Sequence, residues 1–181
     1  MKHLLITGRP GVGKTTLIRT IVRQLRDVQP AGFYTEEIRA QGVRKGFRLI
    51  TLDGRQQVLS HIDLRGPCRV SRYGVDVAGF ERLLEQLDLR HVSSPVIIID
   101  EIGKMECFST RFKEEVLALL DSSKIVIATI ALKGNEFIER IKQRNDCRLV
   151  MVTEGNRDQL AGTLAAEVLH ALKGKKEVGQ G

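Results

Sequence analysis

The chain has 181 residues, of which 42% are hydrophobic, and a formal net charge of +7. That length is enough for one domain with a substantial core, and no apolar run approaches the roughly 18 residues of a membrane span. The chain enters its first apolar segment almost at once, with no leader-like region ahead of it, so a cytoplasmic protein with no membrane partner is expected.

Three cysteines, Cys68, Cys107 and Cys147, are widely spaced and form no C-x-x-C pair, which argues against a thiolate metal site or a disulfide framework. The four histidines are scattered and suggest no general base. The basic balance reads either as attraction to polyanions or as a solvated surface, partly owed to the lysines near the C-terminus. With 4% aromatic residues and no tryptophan, a stacking platform for single-stranded nucleic acid is not favoured.

In chain order, Leu4 to Ile6 reads as a buried strand. Gly8-Arg9-Pro10-Gly11-Val12-Gly13-Lys14-Thr15 then fits G-x-x-x-x-G-K-[ST], the phosphate-binding P-loop pattern, with Thr16 following. The chemistry needs these residue types. Glycines let backbone N–H groups approach phosphate oxygens, and a helix N-terminus favours the anion. Lys14 supplies a mobile positive charge and Thr15 a hydroxyl for Mg²⁺. Leu17, Ile18, Ile21, Val22 and Leu25 carry a helix to about Asp27, where Gln29-Pro30-Ala31-Gly32 breaks it.

Residues 32–73 read as an antiparallel, strand-rich insertion. Phe33 to Arg39 and Val43 to Leu52 pair across Gln41-Gly42, and Asp53-Gly54 makes a tight hairpin. Val58-Leu59-Ser60 and Cys68-Arg69-Val70 are shorter strands. Tyr73 to Asp76 opens a helix, with Asp76 as its N-cap. Pro95 to Asp100 is a second buried strand, β-branched without alternation, as in a parallel sheet covered on both faces. The next helix turns Phe108, Phe112, Val116, Leu119 and Leu120 inward. Ile125 to Ile130 is a third buried strand, 135–144 a short helix, and Leu149 to Val152 a fourth strand. The last helix frays at Gly174. The expected organisation is a single P-loop domain over 1–173, an α/β fold with a mostly parallel central sheet flanked by helices, and a disordered basic tail over 174–181.

Asp100 ends its strand where a Walker B carboxylate sits, suited to hold Mg²⁺ through a water. Glu101 beside it is expected to polarise the attacking water, with a salt-bridge role as the alternative. Gly103 either approaches the terminal phosphate or serves a turn. Lys104 and Glu106 either support the site or lie exposed. Arg9, Arg111, Arg140 and Arg144 are candidates for stabilising transition-state charge. Arg140 and Arg144 lie four apart on one helix face, and the alternative for both is a solvated position. Asn156 follows the last strand, where it contacts the nucleotide base or caps the last helix; the two readings are compatible. The expected nucleotide-binding set is thus Gly8 to Thr16, Asp100, Glu101, Gly103 and Asn156, with Lys14 and Glu101 catalytic and Thr15 and Asp100 on the metal.

Together Gly8 to Thr16, Gly32-Phe-Tyr-Thr-Glu-Glu-Ile-Arg39, Val96-Ile-Ile-Ile-Asp-Glu-Ile-Gly-Lys-Met-Glu106 and Val152-Thr-Glu-Gly-Asn-Arg157 resemble the thermophilic-type nucleoside-triphosphatases. The resemblance runs from the first strand to the last helix. It implies slow, Mg²⁺-dependent hydrolysis of ATP, GTP and other nucleoside triphosphates to the diphosphate, and it places Glu36 and Glu37 near the site. Bottom-up, those two are equally strand residues paired with Arg39 or Arg48. Broad base tolerance agrees with the absence of an N-K-x-D guanine reader. The alternatives are a small-molecule kinase, with the insertion as acceptor lid, and a nucleotide-dependent switch associated with nucleic acid.

Overall fold

The computed structural model describes residues 2–178, of which 175–178 are described by backbone alone. Strands β1 (His3–Thr7), β2 (Ala31–Ala40), β3 (Val43–Thr51), β4 (Gln56–His61), β5 (Arg69–Val70), β6 (Tyr73–Val75), β7 (Val96–Ile102), β8 (Ile125–Ile130) and β9 (Cys147–Met151) form one sheet. Helices α1 (Lys14–Gln24), α2 (Val77–Leu87), α3 (Thr110–Asp121), α4 (Glu136–Lys142) and α5 (Arg157–Val178) cover it. The strand order is β5-β6-β4-β3-β2-β7-β8-β1-β9. Strands β2, β7, β8, β1 and β9 pair in parallel, and β3, β4, β6 and β5 continue the sheet antiparallel.

Alternate residues of the parallel strands enter two cores. Leu4, Ile6, Ile98, Ile127 and Val150 pack under α1 and α5. Leu5, Ile97, Ile99, Val126 and Ala128 pack under α2, α3 and α4, together with Phe33, Phe80 and Phe112. Burial on both faces is why these strands read as unbroken apolar runs. The helices begin where the sequence supplies caps. Asp76, Ser109 and Asn135 each accept a backbone N–H through the side chain at the start of α2, α3 and α4.

The parallel core and the antiparallel region both appear as expected, but they are not separate. The first residues of β2 pair in parallel with β7, Phe33 facing Ile99, while Phe33 to Ala40 pair with β3. Alternation at Phe33 to Arg39 reports the half-exposed end of β2 and says nothing of the partner at its start. Tyr73–Val75 is a strand rather than the opening of a helix. Phe108 lies in a 3₁₀ turn ahead of α3 and is 39% exposed, because the Ser109 cap starts the helix after it. Helix α5 runs past Gly174 to Val178, correcting the tail over 174–178; a glycine costs a helix about 1 kcal/mol relative to alanine but does not end it. Residues 179–181 of the expected tail lie outside those described. Among the described residues no helix is long and apolar enough to cross a membrane.

Candidate active site

The loop from β1 to α1 turns through Gly11 and Gly13, whose φ angles are 78° and 103°, a backbone region open chiefly to glycine. Gly13 is the N-cap of α1 and no side chain bonds the helix end, so its first N–H groups stay open to an anion. Lys14 folds over this loop, its Nζ donating to the Gly8 carbonyl at 3.0 Å and the Arg9 carbonyl at 3.3 Å.

Across from the loop, near the end of β7, Asp100 is 2% exposed. Its Oδ2 accepts the Thr15 hydroxyl at 2.8 Å, and the Thr35 N–H and hydroxyl at 3.3 Å each. Its Oδ1 accepts the Thr129 hydroxyl. A buried carboxylate needs such donors to offset its lost hydration. The Asp100–Glu101 peptide is cis. Glu101 is partly buried and opens onto the same cavity. Burial pushes its carboxyl above the usual range; the Lys14 ammonium opposes the rise and the Asp100 carboxylate adds to it.

The cavity has a volume of about 610 Å³. The phosphate loop forms one wall, with Asp100 and Glu101 facing it. The β2–β3 hairpin forms another through Glu36, Glu37, Arg44 and Phe47, and Ala131 to Lys133 follow from β8. Glu36 and Glu37 therefore line the cavity while also paired. Arg48 Nε donates to Glu36 at 2.8 Å, and Glu37 holds Arg39 and Arg44 at 2.6 and 2.7 Å.

Of the phosphate loop, Gly8, Pro10, Gly11, Gly13, Lys14, Thr15 and Thr16 line this cavity, whereas Arg9, Val12 and Gly103 do not. Asn156 is spent on its own loop, its Oδ1 accepting the Thr153 N–H at 2.8 Å and its Nδ2 donating to the Met151 carbonyl at 3.0 Å. Its neighbour Arg157 instead reaches the phosphate loop, 3.5 Å from the Val12 carbonyl.

The arginine candidates are corrected. Arg144 is held at 2.7 Å by both Asp121 and Asp146, at the end of α3 and just before β9, opposite the edge of the sheet that carries the phosphate loop. Arg140 is exposed and does not line the cavity, and Arg111 pairs loosely with Glu85 at 3.7 Å. The expected shared helix face is not formed, because α4 ends at Lys142 and leaves Arg144 beyond it. The arginines lining the cavity are Arg19 on α1 and Arg44 on β3. Thr35 and Thr129 were also missed. Thr129 had a signal: it is the polar residue in Ile125–Ile130, buried along its whole length.

A strand feeding a glycine loop into a helix N-terminus, opposite a strand-end carboxylate bonded to the loop's threonine, is the arrangement of a P-loop protein that binds nucleoside triphosphates. Comparison with known proteins narrows this. The family model described as NTPase matches residues 3–165, and the chain belongs to that family. It is similar to the nucleoside-triphosphatase THEP1 of Thermotoga sp. (strain RQ2), 45% identical over 175 residues, covering 96% of this chain and 99% of the relative. The human cancer-related nucleoside-triphosphatase is 42% identical over 176 residues, covering 88% and 92%. The crystal structure of THEP1 from the hyperthermophile Aquifex aeolicus superposes with a TM-score of 0.84 at 36% identity, covering 92% of this chain and 98% of that one.

Proposed function

We propose that this protein hydrolyses nucleoside triphosphates to the diphosphate and phosphate, with Mg²⁺ and broad tolerance of the base. The observation that carries the reading is the Thr15 hydroxyl 2.8 Å from the Asp100 carboxylate, in one cavity with Lys14 and Glu101. Hydroxyl and carboxylate oxygens are the donor set of a hard divalent cation, which takes one or two protein ligands and leaves the rest to phosphate and water. Thr15 and Asp100 would hold it, and it would neutralise charge on the β- and γ-phosphates.

The chain's own groups divide the remaining work. The amides of Gly8 to Thr16 bind the polyphosphate, and Lys14 leaves the loop carbonyls for the β- and γ-phosphates. Glu101 takes the proton of the attacking water, its raised pKa making it a better base than an exposed carboxylate. Slow turnover is expected because both lining arginines are engaged. The Arg19 guanidinium stacks over Tyr34 at 4.9 Å and Arg44 is held by Glu37 at 2.7 Å. The Asn156 amide bonds within its own loop, and this supports broad tolerance of the base.

Phosphate release from a panel of triphosphates, with Mg²⁺ and with EDTA, tests the reading. Turnover of several bases, abolished by EDTA, is expected. Absence of release from every triphosphate would refute it, and diphosphate formation that depends on an added nucleoside or nucleoside monophosphate would make the protein a kinase instead.

A further inference from the structure

The segment after β7 carries a carboxyl group that the reaction outlined above does not use. Glu106 sits in the 3₁₀ turn Glu106–Phe108 and is only 4% exposed. Glutamate is almost never buried so deeply without a partner cation, and among the described residues none forms an ion pair with it. Its polar partners are backbone groups, including the Gly103 N–H.

Gly103 explains where the carboxyl goes. Its backbone is outside the left-handed region, so conformation does not require glycine there. Space does. A Cβ at Gly103 would stand 2.8 Å from Glu106 Oε2 and 3.5 Å from both Cγ and Cδ of Glu101. The bare Cα is therefore the gap between two carboxyl-bearing side chains, one facing the cavity and one behind it. An apolar side chain would fill the rear position without the desolvation that a carboxyl suffers.

We propose that Glu106 is a positioning residue for triphosphate hydrolysis, bracing the Glu101 carboxyl across Gly103 and tying down the backbone of that turn. The inference rests on Glu101 facing the attacking water. With Lys14 and Asp100 on the cavity side and Glu106 behind, the Glu101 carboxyl has a narrow range of orientations. A base displaced by about 1 Å loses up to about a hundredfold in rate. Burial also pushes the Glu106 carboxyl up to about 8, the charge of Glu101 adding to the rise, in keeping with a group that serves as a wall.

The test is steady-state phosphate release from ATP with Mg²⁺, together with affinity for a fluorescent ATP analogue, on the full chain. Glu106→Met is expected to lower kcat about tenfold or more with KM and nucleotide affinity within about twofold. Glu106→Gln, which keeps the shape and an acceptor oxygen for Gly103, stays within about threefold of the parent. Gly103→Ala, which wedges the two side chains apart, lowers kcat as Glu106→Met does. Because Glu106 acts through Glu101, adding Glu106→Met to Glu101→Gln slows the enzyme less than about twofold further. Parent-like kcat in Glu106→Met, losses that multiply in the double variant, or equal loss of kcat and affinity in both Glu106 variants would overturn the proposal. If Glu106→Met fails to fold, a normal kcat in Gly103→Ala overturns it. Normal turnover by Glu101→Gln would remove the base assignment and this inference together; a slow Glu101→Gln beside normal Glu106→Met and Gly103→Ala removes this inference alone.

Discussion

His3 ties the start of β1 to the end of α3 and the start of β8, and its titration gives a sharp test of the core. The ring is 0% exposed. Nε2 donates to the Leu120 carbonyl at 2.9 Å, and Nδ1 accepts the Val126 N–H at 3.0 Å, so the geometry requires the neutral ring. Burial lowers its pKa from 6.5 to about 4; the charges of Lys2 and Arg144 add to the fall and Asp146 opposes it. For a histidine the lowered value means that the unfolded chain takes up the proton first. The stability conferred by the neutral ring is present above pH 6.5 and is lost as pH falls towards 4. At about 1.4 kcal/mol per pKa unit the loss between pH 7 and pH 4 is about 3 kcal/mol, with no discount for solvent because the ring is fully buried. His3→Gln keeps one acceptor and one donor but does not titrate. Urea unfolding of parent and variant at pH 7, 6, 5 and 4 isolates the effect, since carboxylates other than the coupled Asp146 cancel in the difference. Parallel stability profiles down to pH 4 would refute the reasoning.

Other outcomes follow from the site. Lys14→Ala is expected to lose measurable triphosphate binding in a fluorescent-nucleotide titration, along with turnover. Asp100→Asn should raise the Mg²⁺ concentration giving half-maximal phosphate release by about tenfold or more, since it removes the charged oxygen opposite Thr15. Arg144→Ala should leave kcat within about twofold while lowering the urea midpoint, because Arg144 latches Asp121 and Asp146. Its paired Asp146, held by that guanidinium down to about 2, then regains an ordinary carboxylate pKa, visible by NMR titration.

What could be read along the chain alone was what is contiguous. The phosphate loop declares itself because a tight turn, a helix start and a lysine must follow one another directly. Asp100 was legible because a polar residue that terminates an apolar strand, opposite such a loop, is well placed to hold a metal. Thr35 was not, because its role depends on β2 beginning as a parallel strand beside β7, and a half-exposed strand does not announce its neighbours. Arg140 and Arg144 could not be placed from spacing, because α4 ends at Lys142: Arg140 takes the solvated alternative and Arg144, past the helix, is drawn to Asp121 and Asp146. Glu106 was left open between supporting the site and lying exposed because burial of a carboxylate is a tertiary event, made possible by the missing side chain of Gly103.

Strand β2 has a mechanical consequence. It is bonded at its start to the strand bearing Asp100 and along its length to β3, and Thr35 on it grips Asp100 directly. The hairpin flanking the cavity is thus no hinged flap but a cantilever rooted beside Asp100. Phe47 and Arg44 on its partner strand line the same cavity, so one continuous ladder joins that wall to the residue gripping Asp100.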